Sequence, residues 1–241
     1  MRGQDPSDRL DAFRRLLPCG SVLKAGPMLY EASALTVAEA IALGRVTAKR
    51  RLDHANGRGY AREALVQLGH PPCSILRATT GAPIWPEGIQ GSISHTGTRV
   101  GALLAPSTAF RGIGLDFEDL QPVALPGWAA SDREVEMVGD GAECPRALAV
   151  LLAFSLKEAA LKAASAIVRH TIVDIALEAC SRNAFQARSR LLGFGAQAVV
   201  EGCFTVDHLT VSAAAWMSST SRQEHGRPFA QVVACDMSNR R

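Results

Sequence analysis

The sequence predicts an α+β fold, on three observations. Segments with the 3.6-residue period of helices and segments that read as strands occur in both halves of the chain. Successive strand-like runs are separated by turns short enough for antiparallel pairing. The chain has 241 residues, 47% of them hydrophobic and 20% charged, which is enough apolar material to bury a core.

Residues 1–9 are polar and expected to be loose, and Gly26-Pro27 punctuates the segment that follows. Residues 32–43 read as a short helix that Gly44 ends. Residues 57–68 read as an amphipathic helix that Gly69 caps. The Gly-, Pro- and Thr-rich stretch 70–91 forms loops around Trp85-Pro86. Strands are expected over 91–95 and 99–105, joined by a Thr-Gly-Thr turn, and a third over 112–118. An acidic loop and short helix (121–143) lead into a long apolar helix over 146–168. Four further strands are expected over 172–179, 185–189, 197–204 and 209–217, with a weakly patterned polar tail from residue 218. Segment 106–111, with Pro106-Ser107, is the expected domain boundary. It divides the chain into halves of residues 1–109 and 110–241.

Composition excludes several classes. A net charge of +3 is too small to predict a nucleic-acid partner. Six cysteines are scattered with no CxxC spacing, so no zinc or redox framework is visible. The N-terminus lacks the apolar run of a signal peptide, and the longest apolar run, 147–154, is far too short to span a bilayer. The expectation is a reduced, cytoplasmic, monomeric protein.

Four constellations carry potential chemistry. In 112–118 (GIGLDFE), Ile113, Leu115 and Phe117 alternate with Gly114, Asp116 and Glu118, so a strand buries one face and sends both carboxylates to the other. Two carboxylates at that spacing can hold a hard divalent cation such as Mg²⁺, with Gly114 keeping the face open; the ordinary alternative is a solvated strand face. In 92–95 (SISH), His95 can donate to an anion, although a lone histidine at a strand end is more often structural. Segment 45–62 holds six basic residues (Arg45, Lys49, Arg50, Arg51, Arg58, Arg62) against one acid, Asp53. It reads equally as a phosphate site or a solvated helix face. In the long helix, Ser155, Glu158, Lys162, Ser165 and Arg169 recur at steps of three and four, a polar stripe up one side. Taken alone, Glu158 and Lys162 are a favourable helix-surface pair. The pair Gly193 and Gly195 only superficially suggests a dinucleotide loop, because no strand–turn–helix unit surrounds it.

Taken together and in this order, the motifs closely resemble the 4′-phosphopantetheinyl transferase superfamily, in particular the group serving siderophore, nonribosomal peptide and polyketide synthases. The family patterns GR-x-x-A-x-x-AL-x-x-LG, P-x-WP-x-G-x-x-GSISH, GIDIE and FS-x-KE-x-x-x-K are met by GRGYAREALVQLG, PIWPEGIQGSISHT, GLDFE and FSLKEAALK. The resemblance runs from about residue 29 to residue 163, and more weakly through the C-terminal strands.

The resemblance implies two similar α/β halves related by a pseudo-twofold, with the active-site cleft between them. It implies Mg²⁺-dependent transfer of the phosphopantetheine arm of coenzyme A to a serine of an apo acyl, peptidyl or aryl carrier protein, releasing 3′,5′-ADP. By the family pattern Asp116, Glu118 and Glu158 hold the metal, and Lys162 contacts the transferred phosphate. Glu158 is the candidate base, while His95, Arg50 and Arg58 grip the coenzyme A 3′-phosphate. Lys157 is the family's KE lysine, either a phosphate contact or a packing residue. One departure stands out. The family's basic residue before the Pro of its WP motif is Ala82 here, and Arg77 is the candidate substitute. Two other readings remain beside this one: a non-catalytic coenzyme A-binding module, and a metal-dependent phosphohydrolase.

Overall fold

Two antiparallel sheets divide the strands, and the chain changes sheet at residues 107–109. A computed structural model describes residues 6–120, 129–166, 173–191 and 197–219. The first sheet has the order β1-β3-β2, from β1 (Val22–Gly26), β2 (Ile89–His95) and β3 (Val100–Pro106). The second has the order β4-β8-β7-β6-β5, from β4 (Phe110–Asp119), β5 (Val173–Cys180), β6 (Ala184–Leu191), β7 (Gln197–Val206) and β8 (Thr210–Ser218). Five helices, α1 (Pro6–Leu16), α2 (Val37–Leu43), α3 (Ala48–Gln67), α4 (Asp132–Ala142) and α5 (Arg146–Ser165), complete the described fold, which is α+β as expected.

Each sheet carries one 20-residue helix. Helix α3 buries Tyr60, Ala61, Ala64 and Leu65 against Ile89, Val100, Ala102 and Leu104 of the small sheet. Helix α5 buries Leu152, Leu156, Ala159 and Ala163 with Phe185, Val200, Ala213 and Ala215 of the large one. A third cluster joins the two sheets: Leu23 and Leu103 meet Ile113, Leu115 and Phe117 of β4, with Phe13 of α1 fully buried among them. Polar links reinforce that junction. The Arg99 guanidinium donates to Ser212 (3.0 Å) and Asp207 (3.0 Å) and lies over the Phe117 ring. In the β2–β3 turn, the Gly97 amide (3.0 Å) and the Thr98 hydroxyl (2.7 Å) donate to Asp119.

Local chemistry sets the helix starts. Thr36 with Glu39 and Ser131 with Glu134 form reciprocal capping boxes at α2 and α4, and the Thr47 hydroxyl caps α3.

Several boundaries differ from expectation. Helix α3 begins nine residues before Gly57, because Gly57 and Gly59 are sites of close packing rather than breaks: a Cβ would stand 2.7 Å from Ile93 and 2.4 Å from Tyr30, respectively. The helix expected over 32–43 divides into a 3₁₀ turn, Ala32–Ala34, and α2, since Thr36 is extended to serve as a cap. Helix α1 starts at Pro6, within the stretch expected to be loose, and β1 had no counterpart in the sequence reading. Cys19 is disulfide-bonded, against the fully reduced state expected, while Cys73, Cys144, Cys180 and Cys203 are free. Gly193, Gly195, Arg169, residue 172 and the tail from residue 220 lie outside the described residues. No helix among the described residues is long and apolar enough to cross a membrane.

Candidate active site

Strand β4 and helix α5 meet at a face without side-chain bulk. A Cβ at Gly112 would stand 2.0 Å from the Ala163 carbonyl oxygen, and one at Gly114 would stand 1.9 Å from that of Ala159. Gly114 therefore does not keep its face open; it lets the backbone of α5 lie directly on the strand. Asp116 follows on that same face and is 3% exposed. The α5 stripe closes around it. The Ser155 hydroxyl donates to Asp116 Oδ2 (2.8 Å), and Lys162 Nζ donates to Asp116 Oδ1 (2.6 Å) and to the Leu115 carbonyl (3.1 Å). From β2, the Ser94 hydroxyl donates to Asp116 Oδ1 (3.4 Å) and accepts from the Phe117 amide (3.2 Å).

Lys162 thus reaches across to the strand rather than pairing along the helix with Glu158, which is the outcome the surface-pair reading did not allow. Glu118 and Glu158 are half-buried at the edge of this group. Burial, then the neighbouring Asp116 charge, push Glu118 up to about 7; Lys162 opposes this, and Glu158 and Asp119 add to it. Burial also raises Glu158, with Lys162 opposing and Asp116 adding. Glu118 feels both Asp116 and Glu158, and Glu158 feels Asp116; acids crowded in this way favour a cation beside them, and carboxylate donors suit a hard one. In this structure Lys162 supplies that positive charge. Among the described residues, no three Asp, Glu, His or Cys side chains stand close enough to ligate a metal by themselves.

The basic segment separates into structural and available cations. Arg62 is bound to Glu39 (2.9 Å), whose buried carboxylate also accepts from the Ile75 and Thr36 amides. Arg51 donates to the Gly44 carbonyl (3.3 Å), and Lys49 pairs with Asp53 (3.2 Å). Arg50, His54 and Arg58 recur every fourth residue along one side of α3. Arg58 is buried, its Nε donating to the Ile75 carbonyl (3.3 Å). Arg77, whose Nε donates to the Gly81 carbonyl (3.2 Å), lines the same small cleft as His54 and Arg58.

Burial pulls Arg58 down to about 10, opposed by Glu39 and assisted by Arg77 and Arg50. His54 is pulled down to about 4 by burial, then by Arg58, Arg50, Arg77 and His95. His95 is lowered by burial, raised by Asp53, and lowered again by Arg50, Lys49 and Lys162. Arg50 and Arg77 both disfavour the charge on Arg58, a cost that an anion bound beside them would relieve. His95 feels charges from both groups, Arg50 of the basic one and Lys162 of the acidic one.

Two further residues, one expected and one not, bear on the site. Lys157 pairs with Glu134 (3.1 Å), which ties α5 to the start of α4. His54 was not singled out in the sequence, although its four-residue spacing from Arg50 and Arg58 could have revealed it. A wider groove of ≈ 540 Å³, lined by Lys24, Tyr30, Arg62, Val66 and Pro72, involves none of the three carboxylates and not His95.

In sequence, residues 38–105 match the 4′-phosphopantetheinyl transferase N-terminal domain family. The chain is 35% identical over 130 residues to the 4′-phosphopantetheinyl transferase PptT of Mycobacterium tuberculosis, covering 52% of this chain and 56% of that protein. It is 42% identical over 81 residues to the 4′-phosphopantetheinyl transferase Npt of Nocardia iowensis, covering 34% and 36%. It is 36% identical over 121 residues to enterobactin synthase component D of Escherichia coli, covering 48% and 55%. The matched stretch thus spans between 36% and 56% of the length of these curated relatives. The chain is similar to the 4′-phosphopantetheinyl transferases, including relatives named for enterobactin synthesis.

Proposed function

We propose that this chain is a 4′-phosphopantetheinyl transferase, moving the phosphopantetheine arm of coenzyme A onto a serine hydroxyl of an apo carrier protein and releasing 3′,5′-ADP. The observation that carries this reading is strand β2. Its adjacent residues Ser94 and His95 join an acidic group at Asp116 to a basic group on α3. A donor with a pyrophosphate and a separate phosphate needs two such groups side by side.

In this reading Arg50, Arg58 and His95 grip the 3′-phosphate, with Arg77 and His54 beside them. Arg77 there supplies the basic group missing at Ala82. Asp116, Glu118 and Glu158 do not stand close enough to ligate a metal by themselves; in this reading they would hold Mg²⁺ only together with the coenzyme A phosphates. Bound there, the metal would neutralise charge on the pyrophosphate. Lys162 turns from Asp116 to the phosphate being transferred. The carrier serine oxygen bonds to the phosphorus that bears pantetheine, the bridging P–O bond breaks, and the electron pair leaves on 3′,5′-ADP. Glu158, raised by burial, is the candidate acceptor of the serine proton. Lys157, held by Glu134, acts in packing in this scheme. We also read residues 1–109 and 110–241 as two halves related by a pseudo-twofold with the cleft between them. One 20-residue helix on one sheet in each half supports that division.

The test is to incubate the protein with coenzyme A, Mg²⁺ and a panel of apo acyl, peptidyl and aryl carriers, following carrier mass. The expected result is the mass gain of one phosphopantetheine on at least one carrier. No gain on any carrier, from protein shown to be folded, overturns the proposal. Coenzyme A binding without turnover would mark a non-catalytic module, and hydrolysis without a carrier would mark a phosphohydrolase.

A further inference from the structure

Glu39 ties α2 to the two segments that carry the basic group, α3 and the chain around Ile75. It stands third in α2 and is 4% exposed. Its Oε2 accepts from the Thr36 amide (2.9 Å), its Oε1 accepts from the Ile75 amide (2.8 Å), and Arg62 Nη1 donates to both oxygens (2.9 and 3.0 Å).

Ile75 is where these bonds meet the basic group. It is fully buried, and both of its main-chain polar groups are engaged: the amide by Glu39, the carbonyl by Arg58 Nε (3.3 Å). Beside it, the Thr36 hydroxyl that caps α2 meets the Ser74 hydroxyl (2.8 Å). Beyond Ile75 the chain folds back on itself. The Ile84 amide donates to the Leu76 carbonyl (2.9 Å), and the Ala78 amide donates to the Ala82 carbonyl (2.8 Å). Arg77 rides on that hairpin. The Ile75 backbone therefore sets the place of both arginines, Arg58 through its Nε and Arg77 through the chain. Arg58 spends only Nε on Ile75, which leaves the terminal pair of its guanidinium fork for a ligand.

We propose that Glu39 is the positioning residue of the basic group: by holding the Ile75 amide it aligns Arg58 with Arg77, so that both guanidiniums meet one phosphate, the 3′-phosphate of coenzyme A. The identity of that phosphate rests on the coenzyme A reading above; the chain of hydrogen bonds does not. Charge by itself predicts the opposite effect of losing Glu39. This carboxylate favours the charge on Arg58, while Arg77, Arg50 and Arg62 oppose it. Removing it leaves the group more positive, which would tighten an anion. Positioning predicts weaker binding, because two guanidiniums that no longer converge lose charge-assisted hydrogen bonds to the phosphate.

The experiment measures calorimetric affinity for coenzyme A and for dephospho-coenzyme A, which lacks the 3′-phosphate, in wild type, Glu39→Met and Glu134→Met. Methionine is close to glutamate in length and has no oxygen to accept from an amide. Glu134 is the control because it does the same work for the large sheet. It closes the capping box of α4, accepts from the Leu177 amide (3.0 Å) and pairs with Lys157 (3.1 Å). The expected result is that E39M weakens coenzyme A about tenfold, the scale of one charge-assisted hydrogen bond, with dephospho-coenzyme A nearly unaffected. E134M should melt early, as E39M does, yet keep the wild-type ratio of the two affinities. Unchanged or tighter coenzyme A in E39M, equal weakening of both donors, or the same change of ratio in E134M would overturn the proposal and leave Glu39 a purely structural residue. If E39M does not fold, wild-type NMR decides: Ile75 amide and Arg58 Nε–H signals that respond more to coenzyme A than to dephospho-coenzyme A support the alignment, and equal responses refute it. A wild type that does not distinguish the two donors overturns the coenzyme A reading of this group, and this proposal with it. A wild type that does distinguish them, matched by E39M, overturns this proposal alone.

Discussion

Replacing Gly114 by alanine tests whether the strand–helix contact positions the site. The new Cβ would stand 1.9 Å from the Ala159 carbonyl oxygen and 2.8 Å from the Ala163 amide nitrogen, both backbone atoms. Ordinary contact begins at 3.4 Å, so α5 must retreat by about 1.5 Å (3.4 − 1.9). It cannot do so freely, because Lys157 ties it to Glu134 and Lys162 to Asp116. Overpacking of this kind costs about 1–3 kcal/mol, with backbone displacement at the upper end. At roughly 2–4 °C per kcal/mol for a chain of this size, G114A should melt about 5–10 °C below wild type. A shift of about 1 Å in catalytic groups costs on the order of a hundredfold in rate, so carrier modification should fall by that scale. The comparison variant is Gly20→Ala. Gly20 has φ +84° and nothing within 4 Å of a built Cβ, so its cost is conformational alone, about 1 kcal/mol. Calorimetric melts of both variants and a carrier-mass time course supply the data. If G114A melted with wild type, the close approach of α5 to β4 would be refuted.

Three further outcomes are expected. Asp116→Ala should abolish carrier modification yet leave a folded protein. Its stability loss should be about 1–3 kcal/mol, because the freed Lys162 can reach water while the Ser155 hydroxyl loses its acceptor; a near-wild-type rate would remove Asp116 from the site. Glu134→Gln should destabilise in a pH-dependent way. Burial alone would raise this carboxyl, but the Ser131 and Leu177 amides, the Ser131 hydroxyl and Lys157 together hold it below its ordinary 4.5. Its contribution is therefore complete above that value and is lost as pH falls through the depressed one. Urea midpoints of the two proteins should converge at low pH, and a constant difference would contradict this. Glu118 behaves in the opposite sense. Raised to about 7 in the fold, it favours the native state below its unfolded value of 4.5, and that advantage disappears as pH rises through 7. E118Q should gain stability over wild type at pH 8 relative to pH 5; an identical pH profile for the two would count against the crowded-acid geometry.

Much of the site was legible as residue types at set intervals. The acids of GIGLDFE, the stripe on α5 and His95 fall where an alternating strand and a 3.6-residue helix place them. What the residues touch was less accessible. Helical spacing offered Lys162 a partner on its own helix, and only the approach of α5 to β4 gives it Asp116. The first half of α3 was missed because glycine is a poor helix former, and packing against Ile93 and Tyr30 overrides that preference. Strand β1 is five residues long, with Lys24 at its centre, too short to show a period. Arg77 and His54 come together through a fold-back of the chain that no spacing encodes.

Arg99 has a consequence for how the molecule comes apart. Its guanidinium comes from the β2–β3 turn of the small sheet, yet it is held by Ser212, Asp207 and the Phe117 ring, all of the second sheet or its connecting turn. Swinging the sheets apart about residues 107–109 would strand the Asp207 and Asp119 carboxylates and expose the apolar faces around Phe117 together. No intermediate with one sheet intact and the other lost recovers those losses. Heat or urea should therefore dissolve both sheets in one concerted transition, and a fragment beginning at residue 110 would lack the cation that neutralises its own turn.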